Sequence, residues 1–254
     1  MTSVVINADD FGLSDGICRS IRELLDSDAA SNTTLMMAAD GSRTRMKNWG
    51  VQELLGVAGV HLQLTSGVPL SPAKEIPTLV NPKTGRFWAR EEIGRVEPSE
   101  VALEWSRQIE LANEALGGSP THIDSHRGVS RIPECIPVFV ELASRYALEV
   151  RGHPGETEAL MKQKGVTGSV SVIREWTGRN LDAHVLMEMV ENKASQGADL
   201  IEIVTHPGYS DAYLESVSGL STARDGDHRV LLELLEAGWP ESHGYRRGAF
   251  TRAR

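Results

Sequence analysis

Short apolar runs rich in β-branched residues alternate along the chain with stretches whose apolar positions recur every three or four residues. Val4 to Ala8 is the first predicted strand. In SDGICRSIRELLDS, Ile17, Ile21, Leu24 and Leu25 fall at helical spacing, with Ser14 or Asp15 placed to cap the helix. Strands are predicted at Thr33 to Met37 and at Val57 to His61. SEVALEWSRQIELANEALGG is the clearest helix: Val101, Trp105, Ile109, Ala112 and Leu116 share a face, and Gly117-Gly118 ends it. A strand at Thr121 to Asp124, a helix from Pro133 to Arg145, and a strand at Leu148 to Arg151 follow. A helix from Asp182 to Ser195 with Gly197 past its end, a strand at Leu200 to Thr205, and a helix over roughly Asp227 to Ala237 complete the pattern.

That alternation calls for parallel strands joined by crossover helices. A chain of 254 residues matches a TIM-like (β/α) barrel, complete or irregular. No linker interrupts it, so one domain over 1–254 is expected. The segment Leu62 to Arg95, rich in Pro, Gly and polar residues, reads as a long loop. Its Phe87 and Trp88, and Trp176 elsewhere, could stack on a bound ligand but read better as packed anchors.

Polar residues fall in a consistent place. Asp9 and Asp10 follow VVINA, His61 follows VAGV, and Asp124 and His126 close THIDSH. Arg151 and His153 follow ALEV, and His206 follows IEIVT. Each stands at the carboxyl end of a predicted strand, and in a parallel barrel those ends meet on the face that holds active sites. Imidazoles and carboxylates converging there are the ligand types of Zn²⁺ and other divalent ions. If THIDSH stays extended, His122, Asp124 and His126 share a face. Asp124 then suits holding a histidine's second ring nitrogen, and His122, earlier in the strand, is either structural or a neighbour of the site. His184, His228 and His243 read as structural or solvated.

Two adjacent carboxylates would repel and raise one pKa. A bound cation removes that cost and allows a division of labour, one Asp holding the ion and the other acting as general base.

The net charge of −9 and pI near 5.4 argue against a general nucleic-acid binder and favour a neutral or cationic small substrate. The two cysteines, Cys18 and Cys135, form no CxxC pair or disulfide framework. Cys18 reads as a buried small hydrophobe. With no leader pattern and no apolar run of membrane-spanning length, the chain reads as soluble and cytoplasmic.

The motifs NADDFG, GVHLQLTSG, THIDSH and THPGYSD, in that order, resemble the YdjC/ChbG family of carbohydrate deacetylases over roughly residues 3 to 215. The resemblance implies a (β/α) barrel related to NodB-like polysaccharide deacetylases. It implies one divalent ion, Mg²⁺ or Zn²⁺, held by Asp10, His61 and His126. It makes Asp9 the general base and His206 the general acid. Arg151 would orient Asp9 or contact the substrate. The implied reaction removes an N-acetyl group from an amino sugar or chitooligosaccharide, and a homodimer is common in similar families. Arg127-Gly128 follow the second histidine where some members carry further histidines, so the resemblance carries over the metal triad but not the local substrate contacts. Two rivals stand beside this reading: a two-metal phosphoester hydrolase, and an inactive sugar-binding protein.

Overall fold

The apolar run at the N-terminus folds as β1 (Ser3–Phe11), a strand buried along its whole length. In the computed structural model, which describes residues 1–179 and 182–251, it pairs with a strand on either side within one large sheet. The predicted cap forms: Ser14 accepts a hydrogen bond from the Ile17 amide at the head of α1 (Asp15–Asp26), worth about 1 kcal/mol. Ile17, Ile21 and Leu24 point inward as their spacing requires.

The chain continues through β2 (Asn32–Leu35), α2 (Ser42–Asn48) and β3 (Ala58–Leu62). The long segment after β3 is a loop, as expected, with a small antiparallel hairpin of β4 (Val80–Asn81) and β5 (Arg86–Phe87). It packs against the core through Leu64, Ile76, Leu79 and Phe87. The helix after it, α3 (Pro98–Leu116), buries the predicted face and ends on Gly117 in the left-handed conformation. That face also buries two polar residues, both satisfied. Glu104 accepts from the Leu70 and Ser71 amides, pinning the loop, and Gln108 bonds the backbone of Gln63.

Next come β6 (His122–Ser125), α4 (Ile136–Tyr146), β7 (Glu149–Arg151) and α5 (Glu156–Lys164). Two short strands, β8 (Gly168–Ser169) and β9 (Ser171–Ile173), are separated by Val170 alone. The rest is α6 (Ala183–Ser195), β10 (Leu200–Thr205), α7 (Ala212–Val217), α8 (Arg224–Glu236) and β11 (Arg246–Arg247).

The sheet order is β8-β7-β6-β3-β2-β1-β10-β9, every pair parallel. Because β8 and β9 are consecutive in the chain, this order nearly closes a barrel of eight parallel strands. The expected (β/α) barrel is therefore present. Its closing strands, GSVSVI, are not legible from the sequence, since two- and three-residue pieces show no period.

The far end of the barrel is plugged by the chain's last described residues. β11 pairs with the start of β1, and the Asn32 side chain exchanges hydrogen bonds with the Phe250 backbone at 2.8 and 3.2 Å. The Phe250 ring enters the core and stacks on His122 with centroids 4.2 Å apart. Among the described residues, no helix is long and apolar enough to cross a membrane.

Candidate metal and catalytic centre

At the end of β1 the register to β2 shifts between Ala8 and Phe11, and Asp10 takes a φ of 78°. A left-handed Asp is uncommon and costs on the order of 1 kcal/mol. The bulge has a use: it turns neighbouring carboxylates, which a regular strand would send to opposite faces, toward one pocket.

Asp10 Oδ1 lies 3.4 Å from His61 Nε2 and 3.4 Å from His126 Nδ1. It is buried without a hydrogen-bond partner, although two imidazole nitrogens face it. The three atoms lie within 4.8 Å of one another. A buried, unpartnered carboxylate oxygen facing two imidazoles fits a divalent cation, and the donor set suits Zn²⁺ or a harder ion with open positions. His61 Nδ1 meets Asp124 Oδ1 at 2.6 Å, a contact that can orient the ring. Burial would lower the His61 pKa, but Asp124, Asp9 and Asp10 lift it to about 9. The field that would hold a proton there would also hold a cation. His126 is lowered by burial despite Asp10.

Asp9 is gripped by Arg151 in a two-pronged pair, both contacts at 2.7 Å, and also accepts from the Asn7 amide at 2.8 Å. Burial would raise its pKa, yet Arg151 holds it below the usual carboxylate range. The same guanidinium reaches Asp124 at 2.7 Å and Glu202 at 2.5 Å. Asp10 has its own cation: Arg224 donates to Oδ2 at 2.6 Å and, against the effect of burial, keeps this carboxyl well below its ordinary range.

His206 follows β10, which pairs with β1 so that Thr205 faces Ala8. Its Nε2 stands 4.0 Å from Asp9 Oδ2. Its Nδ1 is 2.9 Å from the Thr177 hydroxyl, which donates to Asp227.

Asp9, His61, Arg151, Thr177 and His206 line a cavity of about 280 Å³ that also takes in Ser125, Arg127, Arg131, His153 and Arg174. His153 contacts Arg174 at 3.2 Å, and burial with these arginines pushes its pKa down to about 3. Burial first, then Arg131 and Arg151, push Arg174 down to about 10. Among the described residues, the guanidinium groups of Arg127, Arg131 and Arg174 form no ion pair with a carboxylate within 4 Å. The mouth is thus positive on a negative chain, opposite to what the net charge suggests. Local field, not total charge, governs what enters a cleft.

Of the two readings of His122, its surroundings fit the structural one. β6 ends at Ser125, and His126 turns into a 3-10 segment, so the three alternate residues of THIDSH do not share one environment. His122 is fully buried between Gly59 and Phe250, one layer beneath the site. Phe87 and Trp176 are core side chains, as the anchor reading expects. Cys18 is buried and its thiol pushed up to about 12, which leaves it inert. His184 and His243 are exposed, and His228 bonds Ser20 and Tyr209.

Residues 3–234 match the family described as YdjC-like protein. The chain is 30% identical over 253 residues to the chitooligosaccharide deacetylase of Yersinia pestis (strain Pestoides F), covering 97% of each. It is 29% identical over 255 residues to that of Proteus mirabilis (strain HI4320), again covering 97% of each. A crystal structure from Enterococcus faecalis V583, named for cellobiose-phosphate cleavage, superposes with a TM-score of 0.87 at 25% identity, covering 98% of this chain and 97% of that one. The chain belongs to the YdjC family.

Proposed function

We propose that this protein is a metal-dependent carbohydrate N-deacetylase whose single barrel domain spans 1–254. It would hydrolyse the N-acetyl amide of an amino sugar or chitooligosaccharide to acetate and a free amine. The observation that carries the reading is the placement of Asp9 and His206 beside the Asp10, His61 and His126 cluster. The names of the relatives support it.

In this reading Asp10, His61 and His126 hold one divalent ion, Zn²⁺ or Mg²⁺. When bound, the ion supplies Lewis acidity toward the acetyl carbonyl and toward water. Asp9, kept ionised by Arg151, accepts the proton of the attacking water. Arg151 also fixes the carboxylate so that it does not rotate away. His206 Nε2 delivers a proton to the departing sugar nitrogen, because an amine leaves poorly as an anion.

The arginine rim supports an acidic substituent, a phosphate or a carboxylate, on the accepted sugar. The name of the Enterococcus faecalis structure agrees with a phosphorylated sugar. The two-metal phosphoester rival meets a physical objection. Asp9, His61 and Asp124 form a second cluster, but Arg151 already lies 2.7 Å from both carboxylates. A second cation would sit against that guanidinium. The chain would work as a cytoplasmic enzyme, with a homodimer as its expected assembly.

The test is incubation with N,N'-diacetylchitobiose and with its phosphorylated form, with and without a chelator. Acetate release that stops with chelator and returns with added metal is expected, fastest on the phosphorylated sugar. Release of inorganic phosphate instead would favour the phosphoester rival, and no product with metal restored would favour a binding protein.

A further inference from the structure

Among the described residues, the His206 nitrogen that faces away from Asp9 contacts neither a carboxylate nor a ligand of the proposed ion site. Its Nδ1 lies 2.9 Å from Thr177 Oγ1. Three donors converge on the Asp227 carboxylate. These are the Thr177 hydroxyl, the His206 backbone amide at 3.0 Å and the Gly178 amide at 2.9 Å. Asp227 is therefore the acceptor in every contact, and the Thr177 hydroxyl spends its only proton on it. The Thr177 oxygen is left with lone pairs alone, so the proton in its contact with the ring belongs to Nδ1.

We propose that Thr177, held by Asp227, is a positioning residue for His206. It fixes the ring with a proton on Nδ1 and with Nε2 turned toward Asp9 and the pocket. Thr177 lines the cavity, whereas Asp227 is buried behind it on α8. The pair thus ties the loop after β9, the end of β10 and α8 to one ring orientation. Its catalytic consequence rests on the deacetylase reading: a ring locked this way presents only Nε2 to the leaving nitrogen, and its charged form keeps an acceptor at Nδ1. A side chain that merely ties the loop down would not govern which ring nitrogen carries the proton.

The test uses full-length protein in three forms: wild type, Thr177→Ser and Thr177→Val. Valine keeps the shape and removes the acceptor, while serine keeps the acceptor. Nitrogen-15 NMR of histidine-labelled protein, with the His206 signal identified by its loss in His206→Gln, reads the tautomer without turnover. The expected result is Nδ1–H at His206 in wild type and Thr177→Ser, and a mixture of tautomers in Thr177→Val. On N,N'-diacetylchitobiose, Thr177→Val is expected to lower kcat about tenfold or more, with KM held within about twofold. That loss is part of the ~10²–10⁴ contributed by a positioned acid. Thr177→Ser should restore most of it. Nε2–H at His206 in wild type, or full kcat in Thr177→Val, overturns the proposal. Wild-type protein that releases no acetate would count against the deacetylase reading, while the ring tautomer would still decide this one.

Discussion

Arg151 offers the sharpest test of how this site is held together. Its guanidinium lies within 2.7 Å of Asp9 and Asp124 and 2.5 Å from Glu202, and all four residues are buried. Arg151→Met keeps most of the side-chain volume and leaves three carboxylates without their cation. Breaking a buried pair by removing one partner costs about 3–5 kcal/mol, or roughly 6–20 °C in Tm for a chain of this size. The pH dependence gives a second handle. In wild type the Asp9 pKa is depressed in the folded state, so its stability is present above the unfolded carboxylate value and lost only in strong acid. Without Arg151, burial remains and drives the carboxyl upward. The folded variant then takes up a proton at a higher pH than the unfolded chain does. Its deficit should therefore be largest near pH 8 and shrink toward about pH 5. Thermal melts followed by circular dichroism, in chelator so that ion binding does not intervene, measure both effects. Arg151→Lys should recover part of the loss, since one ammonium restores charge but cannot span the fork. A variant as stable as wild type near neutral pH, or a deficit that grows on acidification, would refute the reasoning.

Two further outcomes follow. Asp9→Asn should retain the bound ion, measured by metal analysis, while kcat falls about 10²-fold or more; an unchanged kcat would remove Asp9 from the proton transfer. Phe250→Ala should lower the urea midpoint by the equivalent of about 3–5 kcal/mol, because a fully buried aromatic that closes the barrel floor is lost. An unchanged midpoint would show that the floor does not depend on that ring.

Much of the site is legible in one dimension because barrel geometry converts a local feature, the end of a strand, into a shared place. Asp9, Asp10, His61, Asp124, Arg151 and His206 each follow a readable apolar run, so their convergence can be inferred without knowing a contact. His126 required more: the chain leaves the strand at Ser125, and that turn, not the alternation, brings its ring toward Asp10. The same departure separates His122 from its neighbours two and four positions on. The bulge that aims both aspartates at the pocket rests on a left-handed Asp, a conformation that residue type permits without announcing.

What only the tertiary structure decided is how the charges are paired. Arg224 lies just ahead of the predicted last helix, and Glu202 lies within the predicted strand Leu200 to Thr205. Nothing nearby in sequence tells that one meets Asp10 across 214 positions and the other meets Arg151 across 51. Thr177 and Asp227 are ordinary loop and helix residues until the fold sets them behind His206. Burial explains the difference. Hydrophobic period is a property of each segment against any core, so it survives in the local sequence. A buried charge must find one particular partner at hydrogen-bond distance, and closure of the barrel alone determines which partners meet.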